Sequence, residues 1–242
     1  MSINISFETA TFPESWKNAK ISALFKKPLP DPKDLKNYRP ISLLPVPAKI
    51  LEKIVNRQLS HHLEENNTLD PSQSGFHSNQ SSETALIAAF NDIRTLLDKG
   101  ETAALILLDL SDAFDTVCHH TLRTHLHDGG IRDKAQDWIT SFLTESTQRV
   151  RLPPFLSEAT KTICRIPQGS SVSPTLFNVY MAPLSKIVQS YNLNFISYAD
   201  DTQLIVSLTK DPDTATLVCD LFHKYTHINP VLNMRLRRLI II

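Results

Sequence analysis

Residues 103–110 have the sequence Ala-Ala-Leu-Ile-Leu-Leu-Asp-Leu, which is apolar on both faces except at Asp109. Gly100 lies shortly before this run and Ser111 follows it, so the run is short. An apolar run of this length favours a buried central strand over a helix. A lone carboxylate at the end of such a strand costs free energy, because desolvation opposes its charge. The segment therefore predicts a sheet in the core, and the unfavourable position of Asp109 indicates that this carboxylate has a chemical role.

A second acidic pair, Asp200 and Asp201, stands between two short apolar segments at 193–198 and 203–208. This arrangement predicts a two-stranded hairpin around a turn at 199–202. Acidic residues are common in turns, so the pair alone also has an ordinary structural explanation. If the hairpin lies beside the central strand, however, three carboxylates converge at one end of a sheet.

Such a cluster would need cations or protons. At ~4 Å and an effective dielectric constant of ~20, each pair of like charges costs ~4 kcal/mol. Mg²⁺ meets this need, since it takes oxygen ligands and keeps open positions for water and phosphate. Two such ions about 3.5–4 Å apart carry out phosphoryl and nucleotidyl transfer in known enzymes.

The other elements alternate between helix and strand. Helices are predicted from Pro47, from Ser81 or Ser82 to Gly100, at 120–127, at 132–144, and from Ser173 as the N-cap onward. A strand is predicted at Gln148–Leu152, and six prolines between residues 28 and 47 exclude a helix there. The longest apolar run has six residues, far fewer than the ~20 that span a bilayer, so we expect no membrane partner.

Charge is balanced overall but unevenly distributed. Residues 1–60 hold ten Lys or Arg side chains and five Asp or Glu, which leaves +5 there and −5 over the rest. A basic N-terminal part and an acidic remainder suit a protein that binds phosphates with one part and cations with the other. Solvated surface is the alternative explanation, and the zero net charge argues mildly against a dedicated nucleic-acid binder.

The segment Tyr198-Ala199-Asp200-Asp201 resembles the aromatic-x-Asp-Asp motif of reverse transcriptases, and five further segments match in the family's order. They are Trp16–Lys27, Asn37–Leu44, Gln73–Phe76, Leu108–Asp115, and Pro167–Ser170 with Ser173–Phe177. This ordered set is similar to the polymerase of non-LTR (LINE-type) retrotransposons over residues 16–208. A reverse transcriptase of intron or bacterial type is an alternative within the same class of enzymes.

The resemblance implies a mixed α/β (α+β) fold, namely a right-hand polymerase with fingers and an antiparallel palm sheet packed with helices. The implied parts are an N-terminal extension (1–15), a fingers-like part (16–100), a first palm part (101–117), a helical insertion of fingers or palm (118–159), a second palm part (160–210) and a truncated, divergent C-terminal segment (211–242). No thumb or endonuclease is recognisable, so we expect a truncated copy.

The resemblance also implies the chemistry. Asp109, Asp200 and Asp201 would be the catalytic residues and would bind two Mg²⁺ ions, which Mn²⁺ can replace. A primer 3′-hydroxyl would attack the α-phosphate of a deoxynucleoside triphosphate, and the partners would be an RNA template and a DNA primer. Phe114 stands at the position of the steric gate that excludes a ribose 2′-hydroxyl, although such a ring is ordinarily a packing residue.

Further nucleotide-binding residues follow from the same comparison. Gln168 and Gly169 would form the loop that contacts the incoming nucleotide and template, and Arg39 with Lys26 or Lys27 would bind phosphates. His77 stands where family members commonly have Arg, and a neutral imidazole holds a triphosphate less well.

Two other departures from the family pattern stand out. Arg165 replaces a common Gly, and Asn229-Pro230-Val231-Leu232 lacks the family's Lys. These departures leave open an alternative function, a catalytically weak or inactive retroelement remnant that at most binds nucleic acid.

Overall fold

The computed structural model describes residues 3–26, 31–76, 80–111, 113–152, 154–162, 165–191, 193–208 and 233–242, together with positions 216, 220, 223 and 224. The described chain mixes helices and strands, which confirms the predicted α/β class. The helices are α1 (Ile3–Glu8), α2 (Val46–Glu65), α3 (Ser82–Asp98), α4 (His119–Asp128), α5 (Asp133–Leu143) and α6 (Ser173–Gln189). The strands are β1 (Asn18–Phe25), β2 (Tyr38–Leu43), β3 (Ala103–Ser111), β4 (Thr147–Leu152), β5 (Phe155–Leu156), β6 (Thr160–Lys161), β7 (Asn194–Tyr198), β8 (Asp201–Ser207) and β9 (Asn233–Ile241). None of the described helices has both the length and the apolarity that a membrane crossing requires.

The chain divides into two compact units. Unit 1 comprises Met1–His62 and His119–Leu176, and unit 2 comprises Leu63–Cys118 and Phe177–Ile242. Unit 2 therefore includes residues 63–100, which the motif comparison grouped with a fingers-like part. The assignment of individual ranges to fingers and palm remains a prediction.

Unit 1 contains a sheet with the strand order β2-β1-β4-β5, and β6 pairs with β4. β1 runs antiparallel to β2 and parallel to β4, with Ile21 facing Ser42 on one side and Val150 on the other. β4 confirms the strand predicted at Gln148–Leu152. β2 lies in the proline-rich stretch, where Pro40 is tolerated because this strand is at the edge of the sheet.

The core of unit 1 contains an aromatic cluster that joins the N-terminal segment to α5. The Phe12 ring packs edge-to-face against Trp138 and Phe142 at centroid distances of 5.6 and 5.1 Å. The Trp138 indole donates a 2.9 Å hydrogen bond to the hydroxyl of Ser6, so its buried N–H is satisfied. Edge-to-face pairs contribute about 0.5–1.5 kcal/mol each beyond the area that they bury.

Unit 2 is built on a four-stranded sheet in the order β7-β8-β3-β9, and every neighbouring pair is antiparallel. This confirms the predicted antiparallel sheet and the central position of the strand at 103–110. Ala104, Ile106, Leu108 and Leu110 are at most 3% exposed, whereas the alternate residues Leu105, Leu107 and Asp109 are more accessible. β3 therefore has one fully buried face, and Asp109 lies on the other.

Helix α3 packs against this sheet. Ala85, Ala89 and Ile93 of α3 join a buried cluster with Ala103, Ile196 and Ile205. Ser81 is the N-cap and forms a capping box with Thr84, which agrees with the predicted helix start. Ala103 and Asp109 are six residues apart on β3, or ~20 Å at ~3.3 Å per residue, so α3 covers the end of the strand away from the carboxylate.

Two sequence predictions about element ends are wrong. The hairpin turn has two residues, Ala199 and Asp200, because Asp201 already begins β8 and pairs with Tyr198. Ser173 is the first residue of α6 and not its N-cap, since its hydroxyl donates to the carbonyl of Pro167 at 2.8 Å.

Strand β9 was not predicted. It pairs with the edge of β3 from Asn233↔Ser111 to Ile241↔Ala104, with a bulge opposite Leu107 and Leu108. The stretch 235–238 has three arginines, and its alternation of apolar and polar residues is too irregular to indicate a strand. The strand forms because β3 offers unpaired backbone groups at its open edge.

Glu52 of α2 is a buried carboxylate that anchors the start of α6. Its Oε2 atom accepts hydrogen bonds from the Ser170 hydroxyl at 2.6 Å and from the Ser171 backbone N–H at 2.7 Å. Burial raises the pKa of Glu52, and these hydrogen bonds oppose that shift only in part. The carboxylate therefore fixes the end of the loop that contains Gln168 and Gly169.

We expect Glu52→Gln to remove a pH dependence of stability. Because the folded-state pKa of Glu52 is raised above its ordinary value of 4.5, folding takes up a proton between the two pKa values. The free energy of unfolding of the wild type should fall as pH rises through this interval, by at most about 1.4 kcal/mol per pH unit. Urea unfolding measured from pH 4.5 towards neutral pH tests this expectation.

The matched control is Glu158→Gln, which changes an exposed glutamate in the same unit. This variant should keep the wild-type slope of stability against pH. An unchanged slope in Glu52→Gln would show that Glu52 is not the group responsible.

Candidate active site

The register of the unit 2 sheet brings two of the predicted catalytic aspartates together. β3 and β8 pair up to Leu108↔Thr202, and one residue further along this register Asp109 lies opposite Asp201. Directly opposed residues share a face and have Cβ atoms about 4.5–5.5 Å apart. Asp109 and Asp201 are therefore neighbours on the accessible face, at the end of the sheet that α3 leaves uncovered.

Asp200 lies in the turn between β7 and β8, next to Asp201 in the chain. Within the described ranges, no three His, Cys, Asp or Glu side chains lie close enough to hold a metal ion together. The sheet thus pairs two carboxylates and leaves the third in the adjacent turn.

The paired carboxylates fit a divalent cation of the Mg²⁺ type. Proteins commonly hold Mg²⁺ through one or two carboxylates, and water and substrate phosphates complete its shell. Asp109 and Asp201 supply that number of carboxylates, and the Asp201 side chain is 56% exposed, which leaves room for water and phosphate.

Two arginines of β9 contribute charge that the sequence analysis did not assign to this site. Arg235 lies opposite Asp109 in the β3–β9 register, and Arg237 is the extra residue of the bulge. The Arg237 Nη1 atom donates to Oδ1 of Asp201 at 3.3 Å. Since β3 lies between β8 and β9, the guanidinium reaches across the strand that carries Asp109. No short-range sequence signal pairs residue 237 with residue 201.

The proposed steric-gate residue Phe114 also lies in unit 2, shortly after β3. Its ring stacks on the fully buried ring of Phe177 at a centroid distance of 4.9 Å and an interplanar angle of 26°. Phe114 itself remains partly accessible. One face of the ring is therefore fixed by packing, and the side chain keeps an accessible surface.

Gln168 and Gly169 lie in unit 1, where β2 holds their loop. The Ser42 backbone N–H donates to the Gln168 carbonyl at 2.8 Å. Gly169 has a φ of +95°, and a Cβ atom there would lie 3.1 Å from the Ser42 carbonyl oxygen. The positive φ favours glycine at this position, and the close approach to β2 leaves little room for a Cβ atom.

Arg165 retains a backbone conformation suited to glycine. Its φ is +145°, in a region of backbone conformation that favours glycine. The guanidinium donates to the Ser42 hydroxyl at 3.0 Å and also hydrogen-bonds to the Gln148 side chain. These contacts offset the strain and tie the segment before Gln168 to the sheet.

Arg39 lies on an exposed basic face of the unit 1 sheet. In the registers of β1 with β2 and β4, Lys20 faces Arg149, Ser22 faces Arg151, and Leu24 faces Arg39. The four basic side chains therefore share one face, all four are exposed, and these three strands contain no Asp or Glu. Like charges placed opposite one another destabilise a sheet unless an anion compensates them.

The other predicted phosphate ligands are only partly described. Lys26 follows β1, where its backbone N–H donates to the Asn37 carbonyl at 2.8 Å. His77 and Lys27 lie outside the described residues, as does the segment 229–232.

The family comparison agrees with this arrangement. Residues 26–229 match the family described as reverse transcriptase (RNA-dependent DNA polymerase). The RNA-directed DNA polymerase from mobile element jockey of Drosophila melanogaster is 28% identical over 210 residues, which cover 84% of this chain and 22% of that protein. The retrovirus-related Pol polyprotein from type-1 retrotransposable element R2 of Popillia japonica is 28% identical over 182 residues, which cover 70% of this chain and 25% of that protein. The chain thus spans at most a quarter of the length of these two relatives.

Solved structures show the same fold. The structure of apo telomerase from Candida tropicalis superimposes on this chain with a TM-score of 0.68 at 14% sequence identity. The superposition covers 99% of this chain and 48% of the telomerase chain. Telomerase from Candida albicans, in complex with a fragment of telomeric RNA, superimposes with a TM-score of 0.62 at 13% sequence identity. That superposition covers 98% of this chain and 44% of the telomerase chain. The motifs, the fold and the match over most of the sequence agree, and the chain belongs to the reverse transcriptase (RNA-dependent DNA polymerase) family.

Proposed function

We propose that this chain is the polymerase domain of a retrotransposon reverse transcriptase, which adds deoxynucleotides to a DNA primer on an RNA template. The observation that carries the proposal is the antiparallel β3–β8 register, whose last pair, Leu108↔Thr202, directly precedes Asp109 on one strand and follows Asp201 on the other, in a chain of this family. Two neighbouring carboxylates repel each other, and this repulsion is relieved when they share divalent cations.

Asp109 and Asp201 would hold Mg²⁺. Asp200 would join them from the adjacent turn only after its side chain moves closer, because no three such side chains among the described residues are close enough to share an ion. The metal would supply Lewis-acid stabilisation of the charge that develops on the phosphate oxygens, with Mn²⁺ as a substitute. The contribution of the protein is to fix both carboxylates on neighbouring strands, so that little reorganisation is needed during the reaction.

Other residues would bind and select the nucleotide. Arg39 and Lys26 would bind phosphate oxygens, and the forked donors of arginine suit this role. The loop at Gln168 and Gly169 would contact the incoming nucleotide. The partly accessible Phe114 ring would exclude a ribose 2′-hydroxyl. His77 would also contact the triphosphate, more weakly than an arginine.

The basic face of unit 1, defined by Lys20, Arg39, Arg149 and Arg151, would contact a nucleic-acid backbone. Four exposed cations on strands that contain no acid form a surface that phosphates would neutralise, with release of counterions. This local concentration of charge counts for more than the zero net charge of the chain, because phosphates interact with the nearest cations.

A second candidate function is binding of nucleic acid without efficient catalysis. The contact of Arg237 with Asp201 favours this candidate. The guanidinium places a positive charge beside a carboxylate that a metal ion would need as a ligand, and it would therefore compete with the metal. Both side chains are more than half exposed, at 64% and 56%. Such exposed ion pairs contribute about 0–1 kcal/mol, so a divalent cation bound by two carboxylates would displace the arginine.

We expect Asp109→Asn and Asp201→Asn each to lower Mg²⁺-dependent primer extension by about 10³-fold or more, because each removes a charged metal ligand. The assay uses the full chain, a DNA primer and an RNA template. Primer–template binding should persist in both variants.

The control is Asp98→Asn, which removes an exposed carboxylate of α3 in the same unit and should leave extension unchanged. Extension that survives in Asp109→Asn and Asp201→Asn would refute the metal assignment. Binding by the wild type without any extension would select the second candidate.

We expect Arg237→Gln to lower the Mg²⁺ concentration at half-maximal extension by about two- to fivefold. The reason is that the variant removes a competing cation whose exposed ion pair is worth about 1 kcal/mol or less. Arg238→Gln, on the same strand, is the matched control. An equal shift in both variants would mean that the effect comes from general charge and not from the contact with Asp201.

We expect Arg149→Gln and Arg151→Gln to weaken primer–template binding to a similar extent for different sequences. Each should reduce the slope of log affinity against log salt concentration by about one if its side chain contacts one phosphate. Binding titrations over a range of salt concentrations measure this slope. The control is Lys99→Gln, in unit 2, which should leave the slope unchanged. If Arg149→Gln and Arg151→Gln gave the same slope as Lys99→Gln, this face would be excluded as the binding surface.

A further inference from the structure

The hairpin that carries Asp200 and Asp201 turns through a residue with an unfavourable backbone conformation. Ala199 has a φ of +56°, in the left-handed region. Two-residue hairpin turns commonly require this region, and glycine or asparagine is the usual residue there. For alanine the conformation is costly and must be held by the surroundings. The direction of both aspartates depends on this turn.

The side-chain amide of Gln73 holds Ala199 through both backbone groups of that residue. Its Oε1 accepts from the Ala199 N–H at 3.0 Å, and its Nε2 donates to the Ala199 carbonyl at 3.1 Å. Oε1 also accepts from the Gly75 N–H at 3.0 Å, and Nε2 donates to the Ser197 hydroxyl at 3.2 Å. The amide therefore uses two acceptor sites and both of its donors, and Gln73 is 4% exposed.

The segment around Gln73 is fixed from the hairpin side. The Ser74 N–H donates to the Ser197 carbonyl at 2.7 Å, and the Ser197 N–H donates to the Ser72 carbonyl at 2.8 Å. A Cβ atom on Gly75 would lie 2.2 Å from the Ala199 nitrogen. Only glycine permits this approach, so Gly75 allows the segment to lie directly against the turn.

The segment is also fixed from α6. Asn178 is buried at 3% exposure, and its Nδ2 donates to the Gly75 carbonyl at 2.9 Å. The segment that contains Gln73 is thus hydrogen-bonded to both α6 and the hairpin, which keeps the amide next to Ala199.

From these contacts we infer that Gln73 is a positioning residue of the polymerase site, which fixes the left-handed conformation of Ala199 and thereby the direction of Asp200 and Asp201. The inference rests on the proposed function. Catalytic groups must be held within about 0.5 Å of their productive positions, and a misplacement of about 1 Å can cost about 10²-fold in rate. Gln73 does not itself contact the reacting atoms in this scheme.

The test is Gln73→Met in the full chain, which keeps the approximate length of the side chain and removes all four hydrogen bonds. We expect kcat of primer extension to fall by about 10²-fold, with KM for the deoxynucleotide changed by less than about twofold. Mn²⁺ binding, measured without primer or template, should weaken by about tenfold. Amide exchange at Ala199 should become faster.

Two further variants separate positioning from folding. Gln73→Glu keeps an acceptor for the Ala199 and Gly75 N–H groups and loses the two donated bonds, so it tests the same contact if the Met variant does not fold. Ala199→Gly, added to Gln73→Met, should restore part of kcat, because glycine adopts a positive φ without the cost that alanine incurs. Gln189→Met, at an exposed glutamine of α6, is the matched control.

The outcomes distinguish this inference from the proposed function. If the wild type extends primers and folded Gln73 variants keep wild-type kcat, Mn²⁺ affinity and Ala199 exchange, the positioning role is overturned while the polymerase assignment stands. If the wild type does not extend primers, the proposed function fails. Mn²⁺ binding and Ala199 exchange then still decide whether Gln73 fixes the turn that carries the aspartates.

Discussion

The antiparallel register between β3 and β8 is the constraint on which the candidate site depends. Strand residues alternate between faces, so a slip of one residue would turn either Asp109 or Asp201 towards the buried side. The register is held by Leu108 and Leu204, whose side chains are almost fully buried on the other face. Hydrophobic burial on one face of the sheet thus determines where two acidic side chains meet on the other.

Charge is distributed differently in the two units. Unit 1 presents basic side chains on strands without acidic residues, and unit 2 gathers carboxylates at the end of a sheet. In unit 2 the arginines of β9 already compensate some of the negative charge, and the exposed contact of Arg237 with Asp201 is weak enough to be exchanged for a stronger cation.

Arg165 and Ala199 both have a positive φ although neither is glycine. Arg165 keeps a φ that suits glycine, and its side chain offsets the strain with hydrogen bonds to Ser42 and Gln148. Ala199 likewise keeps a positive φ, with Gln73 in contact with both of its backbone groups. In both places hydrogen bonds to residues elsewhere in the chain accompany the local conformational cost.

Local sequence determined the central strand at 103–110, the capped helix after Ser81, and the hairpin, because apolar runs and capping residues act over a few positions. The ordered motifs were sufficient to assign the family. Only the tertiary structure decided the two-residue turn, the pairing of β9 with β3, the contact of Arg237 with Asp201, and the hold of Gln73 on Ala199. These features join residues that lie far apart in the chain, in the last case 126 positions, and they depend on hydrogen bonds and register that no local pattern encodes.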